Sequence, residues 1–124
     1  MAATGERVRE VVTEYLRLVE TGTADQITAL YADDATLEDP VGSEVRRGAA
    51  AIRDFYATVE PLETETHLVE LRVVAGTAAF HFVIVTRPEG MTVTVSPIEV
   101  MTFDDEGRIT SMKAYWGDAD MRFG

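Results

Sequence analysis

Apolar residues near the start of the chain recur at three- and four-residue steps, the spacing of one face of an α-helix. This stripe begins at Val8 and runs to Val19. Gly22 follows shortly after it, and glycine is common where a helix ends. The pattern predicts a first helix, with an inward face made of Val8, Val11, Val12, Tyr15, Leu16 and Val19.

Two further helices are predicted in the first half of the chain. Thr23 and Gln26 have the spacing of a capping box, in which two side chains satisfy backbone groups at a helix start. The short second helix that follows is expected to carry Ile27, Leu30 and Tyr31. A third helix is predicted over 49–59 and is stopped by Pro61. Its inward residues are Ile52, Phe55 and Tyr56.

The pattern between and after these helices is typical of strands. Residues 35–38 predict a short strand that ends at Asp39, because a residue before proline is pushed toward extended geometry. The second half alternates Val, Ile, Thr and aromatic residues, and segments 87–90 and 104–107 each place glycine where a hairpin would close. Helices first and hairpin-linked strands after favour an α+β fold with helices on one face of a sheet. The later strands are predicted at 66–74, 77–86, 91–103 and 108–116.

Composition narrows the classes of protein further. A chain of 124 residues predicts one domain spanning 1–124, and the absence of cysteine removes thiolate chemistry. The net charge of −11 argues against nucleic acid and anionic membranes as partners. The N-terminus has no positive flank before an apolar run, and no stretch approaches the roughly 20 apolar residues that span a bilayer. We therefore expect a cytoplasmic protein with a neutral or cationic ligand.

A carboxylate in one predicted strand is the main anomaly. Glu99 shares a face, by alternation, with Val95, Pro97, Met101 and Phe103. A carboxyl on such an apolar face is desolvated, and desolvation raises its pKa. The alternatives are that the strand twist carries Glu99 to solvent or that a cation pairs with it.

Four more polar residues are candidates for a site in the same core. Asp39 sits at a strand end, where proline could hold it rigidly toward a cavity, although Asp-Pro also starts ordinary turns. Tyr15, Tyr31 and Tyr56 lie on the inward faces of three predicted helices. Buried phenols need hydrogen-bond partners, which can be a ligand or simply a backbone carbonyl.

Several other kinds of site are not expected. His67 and His81 have no metal-ligand spacing to each other or to a carboxylate, so no metal is predicted. The chain contains no catalytic triad pattern, phosphate-binding loop or dinucleotide fingerprint. The large apolar residues Phe80, Phe82, Met112 and Trp116 suit either a plain core or a pocket lining.

Taken together, these residues resemble the Δ5-3-ketosteroid isomerases of the cone-shaped NTF2-like fold. The resemblance runs through residues 15–19, 30–44, 48–57, 96–99 and 112–116. It implies three N-terminal helices packed on a strongly curved, mixed, mostly antiparallel sheet that encloses an apolar pocket. It also implies a small apolar 3-ketosteroid substrate, a homodimer, and no cofactor.

The resemblance assigns a role to each candidate residue. Asp39 falls on the general base that moves a proton from C4 of the steroid to C6. Tyr15 falls on the phenol that donates a hydrogen bond to the C3 oxygen, and Glu99 falls where this family usually has a protonated Asp as second donor, a known case of pKa tuning. Tyr31 and Tyr56 fall on tyrosines that extend the hydrogen-bond network. The apolar cavity positions correspond to Phe82, Met112 and Trp116.

Glu99 is also the departure from the family pattern, since its side chain is one methylene longer than that of Asp. The expected activity is isomerisation of 3-oxo-Δ5-steroids to 3-oxo-Δ4-steroids. Two alternatives stay open: another NTF2-like enzyme on an apolar substrate, such as a polyketide cyclase, epoxide hydrolase or dehydratase, and a non-catalytic steroid or lipid carrier.

Overall fold

The structure, a computed structural model, describes residues 2–124. Its helices are α1 (Gly5–Thr21), α2 (Ala24–Thr28) and α3 (Ala49–Val59). Its strands are β1 (Tyr31–Glu38), β2 (Arg46–Arg47), β3 (Thr64–Val74), β4 (Thr77–Thr86), β5 (Val93–Val95), β6 (Ile98–Phe103), β7 (Ile109–Tyr115) and β8 (Met121–Phe123). Within residues 2–124, every helix is too short or too polar to cross a membrane.

Helix α1 forms where the apolar stripe predicts it. The Thr4 side chain caps its first turn by accepting a hydrogen bond of 3.1 Å from the Arg7 N–H. At the other end, the Gly22 N–H donates to the Leu18 carbonyl. The stripe is buried, and it packs chiefly against β3. This burial brings Tyr15 into the core, where it is 3% exposed.

The second helix is shorter than predicted. The capping box of Thr23 and Gln26 is present, but the helix ends at Thr28 and Tyr31 begins strand β1 instead. The cause is pairing with β7, because the Ile109 N–H donates to the Leu30 carbonyl and so draws this segment into the sheet. The prediction that Leu30 and Tyr31 are helical is wrong. Strand β1 is correspondingly longer than the predicted 35–38.

The strands form one mixed sheet in the order β2-β1-β7-β6-β4-β5-β8, with β3 on the other edge of β4. Only the β1–β7 pair is parallel among the strands described. Register shifts interrupt β1–β7, β3–β4 and β6–β7, and such bulges bend and twist a sheet. The three helices pack on the curled sheet, which does not close into a barrel. The predicted α+β architecture is confirmed.

The predicted strand over 91–103 is two strands. Pro97 has no N–H to donate to a neighbouring strand. The strand is interrupted at Ser96 and Pro97, and the Ser96 N–H donates instead to the Asp120 carbonyl. Both halves still pair with β4, through Ile84 opposite Val95 and His81 opposite Ile98. The short strands β2 and β8 lack a clear alternation signal that would predict them.

Both glycine turns close hairpins as predicted. The segment between β4 and β5 has left-handed backbone at Glu89 (φ 51°) and Gly90 (φ 82°). The segment between β6 and β7 has it at Gly107 (φ 82°). Strand β4 and the third helix have the predicted bounds, 77–86 and 49–59.

A matched pair of leucines tests where the core lies. Leu37 in β1 is fully buried, whereas Leu68 in β3 is 45% exposed. Leu37→Ala should lower the free energy of unfolding by about 2–5 kcal/mol, because it leaves a cavity in packed surroundings. Leu68→Ala should lower it by no more than about 1 kcal/mol. Urea unfolding of both variants measures the difference, and equal losses would contradict this placement of the core.

Candidate active site

A pocket of about 220 Å³ opens between the helices and the curled sheet. Most of its wall is apolar, formed by Val19, Phe55, Val59, Leu62, Phe82, Ile84, Val95 and Pro97. The polar residues that line it are Tyr15, Asp39, Tyr56, Thr86, Glu99 and Trp116. Within residues 2–124, the pocket is lined by no histidine, arginine or lysine. The site therefore offers phenols, carboxyl groups, an indole and one hydroxyl for chemistry.

Three tyrosine hydroxyls form a buried chain that ends at this pocket. The Tyr31 and Tyr56 hydroxyl oxygens are 2.6 Å apart, and the Tyr56 hydroxyl donates to the Tyr15 hydroxyl oxygen over 3.2 Å. Each phenol has one proton. Since Tyr56 gives its proton to Tyr15, Tyr31 must be the donor to Tyr56. The proton of Tyr15 is therefore left to donate to a group in the pocket.

The buried environment keeps these phenols neutral. Burial raises the pKa of Tyr15 well above its usual value, and the neighbouring Glu99 raises it further. Burial also raises the pKa values of Tyr31 and Tyr56. A hydroxyl that accepts one hydrogen bond becomes a better donor of another, so the chain strengthens Tyr15 as a donor.

Glu99 lies beside Tyr15 with its carboxyl in the apolar interior. In the sheet, it is opposite Phe80 of β4 on one side and Ala114 of β7 on the other. Both neighbours are buried, and Glu99 itself is 3% exposed. Its Oε1 has no hydrogen-bond partner among residues 2–124. The alternation on β6 that predicted an inward Glu99 is confirmed, and the solvent-exposed and cation-paired alternatives are not observed.

The protonation state of Glu99 follows from this placement. Burial raises its pKa well above the usual value of 4.5, and the charge of Asp39 raises it further. The nearby Tyr15 hydroxyl opposes the rise, with a smaller effect. A neutral carboxyl group is therefore favoured, and a carboxylic acid with an unpartnered oxygen can donate a hydrogen bond to a ligand.

Asp39 is held at another part of the pocket wall by the parallel strand pair. It directly follows β1, and the Val41 N–H donates to the Ala114 carbonyl of β7 over 2.8 Å. Strand β7 ends just before Trp116, whose Nε1–H donates to Asp39 Oδ1 over 2.8 Å. Burial raises the pKa of Asp39 above its usual value, and the indole donor offsets part of that rise. The two carboxyl groups thus have different settings, with a stabilising donor to Asp39 and an apolar enclosure around Glu99.

The structure brings together most of the residues predicted for the site. Tyr15, Asp39, Tyr56 and Glu99 line one pocket, and so do Phe82 and Trp116. Tyr31 reaches the site only through Tyr56. Met112 is 1% exposed within the core and does not line the pocket.

Sequence reasoning missed two features of this pocket. The sequence predicts Trp116 as an apolar wall, but this residue also holds Asp39 through its indole N–H. The inward alternation of β4 continues past Phe82 to Ile84 and Thr86, which line the pocket as well. That alternation is visible in the sequence and could have identified both residues.

Comparison with known proteins gives concordant matches. Residues 12–112 match the SnoaL-like domain family. A protein named steroid Delta-isomerase, from Nocardioides simplex, is 48% identical over 114 residues, which are 92% of this chain and 93% of that protein. The solved structure of SalBIII matches with a TM-score of 0.88 at 30% identity, covering 94% of this chain and 95% of that one. SalBIII is described as an epoxide hydrolase/cyclase-like enzyme in pyran ring formation in polyether salinomycin.

The raised pKa of Glu99 predicts a specific dependence of stability on pH. The folded state binds this proton more tightly than the unfolded state, whose pKa is near 4.5. The resulting stabilisation is complete below that pH and is lost as pH rises toward the pKa of the folded state. Glu99→Gln has no such dependence. The free energy of unfolding of this variant should therefore increase relative to that of wild type as pH rises above 4.5.

Urea unfolding of both proteins at acidic and neutral pH measures this difference. The infrared spectrum gives an independent measure, because wild type at neutral pH should retain the carbonyl band of a protonated carboxyl group that Glu99→Gln lacks. A stability difference that is constant with pH, together with no such band, would contradict a neutral Glu99.

Proposed function

The chain belongs to the SnoaL-like domain family, which has the NTF2-like fold, and from this premise we propose that it is a steroid Δ-isomerase. Its reaction converts 3-oxo-Δ5-steroids to 3-oxo-Δ4-steroids. The relative at 48% identity supports an isomerase, and the apolar pocket suits a small apolar substrate.

One observation carries the proposal: a buried phenol and a buried carboxyl group, those of Tyr15 and Glu99, line the same apolar pocket as a second carboxyl group. Tyr15 and Glu99 are each 3% exposed, and the carboxyl of Glu99 has an unpartnered oxygen. Asp39 lines the same pocket. Two donors suit an oxygen that gains negative charge, and a carboxylate suits removal of a proton from a neighbouring carbon.

In the proposed reaction, the carboxylate of Asp39 takes a proton from C4. The electrons of that C–H bond form a double bond between C3 and C4, and the C3 carbonyl electrons move to its oxygen. Tyr15 and the protonated Glu99 donate hydrogen bonds to this dienolate oxygen. Asp39 then returns the proton to C6, the carbonyl re-forms, and the carbon–carbon double bond ends between C4 and C5. No electrons are gained or lost, so the proton transfer needs no co-reactant.

The two carboxyl groups can divide this work because their surroundings differ. Asp39 must be ionised to act as a base, and the hydrogen bond from Trp116 favours the ionised form by offsetting part of the pKa rise that burial causes. Glu99 must be protonated to donate, and its burial favours the protonated form. The extra methylene of Glu99 extends its carboxyl further from the strand, and its unpartnered oxygen supports a donor role at this length.

A second candidate is a ring-opening or cyclising enzyme, favoured by the similarity to SalBIII. A carboxylic acid and a carboxylate in one apolar pocket can also polarise an epoxide and activate a hydroxyl. Such NTF2-like enzymes are expected to use His-Asp pairs or an Asp-Arg-Asp water site. Neither histidine nor arginine lines this pocket within residues 2–124, which favours the isomerase.

The homodimer stays a prediction, as does the cytoplasmic location. An exposed apolar surface on the sheet is available for a second copy. Ile98 and Tyr115, opposite each other on β6 and β7, are 49% and 46% exposed, and Val69 on β3 is 52% exposed.

An isomerase assay tests the proposal through the absorbance of the conjugated enone product. Wild type should isomerise a 5-ene-3-ketosteroid. Asp39→Asn should remove most of the activity, and Tyr15→Phe should lower kcat by about 10²–10³-fold, the effect of losing one oxyanion donor. Glu99→Gln keeps a donor and should lose much less than Glu99→Ala. Tyr115→Phe removes a hydroxyl outside the pocket, keeps the aromatic ring on the sheet surface, and is the matched control for Tyr15→Phe.

Two outcomes would contradict this account. Wild-type activity no greater than that of Asp39→Asn would rule out the isomerase function. The remaining possibilities would be a binding protein or another enzyme. Equal activity in wild type, Glu99→Gln and Glu99→Ala would rule out Glu99 as a hydrogen-bond donor to the dienolate oxygen.

A further inference from the structure

Thr86 is the one polar side chain lining the pocket, among the residues described, that the proposed reaction does not use. It is the last residue of β4, where the inward positions are Phe80, Phe82, Ile84 and Thr86. The first three are apolar, and two of them, Phe82 and Ile84, line the pocket, as suits a wall that contacts fused rings. A hydroxyl at the fourth position breaks this pattern within the pocket itself.

The Thr86 hydroxyl has no hydrogen-bond partner in the part of the chain that the structure describes. The residues opposite it are Thr64 on β3 and Val93 on β5. The hydroxyl of Thr64 donates instead to the Leu62 carbonyl over 3.1 Å. A ligand that displaces water from Thr86 would therefore leave the hydroxyl unpaired unless it supplies a partner, and an unpaired polar group is unfavourable.

Thr86 also lies at the opposite end of the pocket from the proposed oxyanion donors. Glu99 pairs in register with Phe80, and Thr86 is three inward positions further along the same strand. Tyr15, Tyr56 and Glu99 are nearly fully buried, whereas Thr86 and Val95, which also lines the pocket, are half-buried. A flat substrate with its C3 oxygen at the more buried end, beside Tyr15 and Glu99, points its other end toward Thr86.

We propose that Thr86 is a specificity-determining residue, whose hydroxyl forms a hydrogen bond with an uncharged oxygen at the D-ring end of the steroid. This inference rests on the proposed function, because that function sets the orientation of the substrate. The expected substrates carry a ketone or hydroxyl at C17 or on the substituent there. An analogue with only hydrocarbon at that end would leave Thr86 unpaired.

The charges beside Thr86 explain why the oxygen should be uncharged. The adjacent cation, Arg87, is held by Glu63 at 2.8 Å and by Glu65 at 3.5 Å. An anionic group at this end would meet a guanidinium already paired and two carboxylates. A ketone or hydroxyl needs only the hydroxyl of Thr86 and avoids this repulsion.

Two substrates and two variants test the assignment. The substrates are a 5-ene-3-ketosteroid with a C17 ketone and its 17-deoxy analogue. Thr86→Val replaces the hydroxyl with a methyl group of similar size, and Thr86→Ser keeps the hydroxyl. In wild type, the KM for the C17 ketone should be about fivefold lower than the KM for the 17-deoxy analogue, the effect of one ordinary hydrogen bond. Thr86→Val should lose this preference, Thr86→Ser should keep it, and the effect should fall on KM rather than kcat because the contact is remote from the reacting atoms.

Equilibrium binding of the two corresponding 4-ene-3-ketosteroids gives a readout that does not need catalysis. Binding of the C17 ketone that is about fivefold tighter in wild type, and no tighter in Thr86→Val, would support the assignment even if isomerisation were absent. Absence of isomerisation would overturn only the proposed function. The same ketone preference in wild type and Thr86→Val, in both KM and binding, would overturn the role of Thr86.

Discussion

The site depends on one unfavourable placement, a carboxyl group buried without a cation. An ionised Glu99 in this setting would lose its hydration and gain no compensating partner, so the protonated form is the one the fold tolerates. The same burial that prevents ionisation makes the group a hydrogen-bond donor. Pocket shape, neutral phenols and the expected chemistry are all consistent with an acid in the apolar interior and a base at a better-supported position.

The topology explains how such different settings arise so close together. The parallel pair β1–β7 carries Asp39 past the end of one strand and Trp116 past the end of the other, where the indole donor meets the carboxylate. The antiparallel strands beside this pair place Glu99 between Phe80 and Ala114, within the sheet rather than at its end. A carboxyl at a strand end can keep polar contacts, whereas one in the middle of a buried face cannot.

Much of this arrangement could be predicted from the sequence, because the signals are local. The helical stripe locates Tyr15 in the core, and the alternation on β6 places Glu99 on the apolar face. The proline after Asp39 marks a strand end. These features depend on spacing along the chain, which the sequence displays directly.

The errors fall where distant segments decide the outcome. Tyr31 has a helical spacing from Ile27, which follows the capping box of Thr23 and Gln26, but pairing of its backbone with β7 places it on a strand instead. The division of the strand at Pro97 depends on both halves finding positions along β4. The hydrogen bond from Trp116 to Asp39 joins side chains that are 77 residues apart in the sequence. No local pattern reports such pairings, and the roles of the site residues come from a family resemblance.

The most direct measurement is a crystal structure with a bound phenol that mimics the dienolate. The phenol oxygen should lie within about 2.5–2.8 Å of both the Tyr15 hydroxyl oxygen and one Glu99 carboxyl oxygen. Asp39 should then lie against the ring face, within reach of the carbons that exchange the proton. A phenol oxygen that contacts neither Tyr15 nor Glu99, or that binds at the Thr86 end with the rings reversed, would contradict the oxyanion role of these two residues.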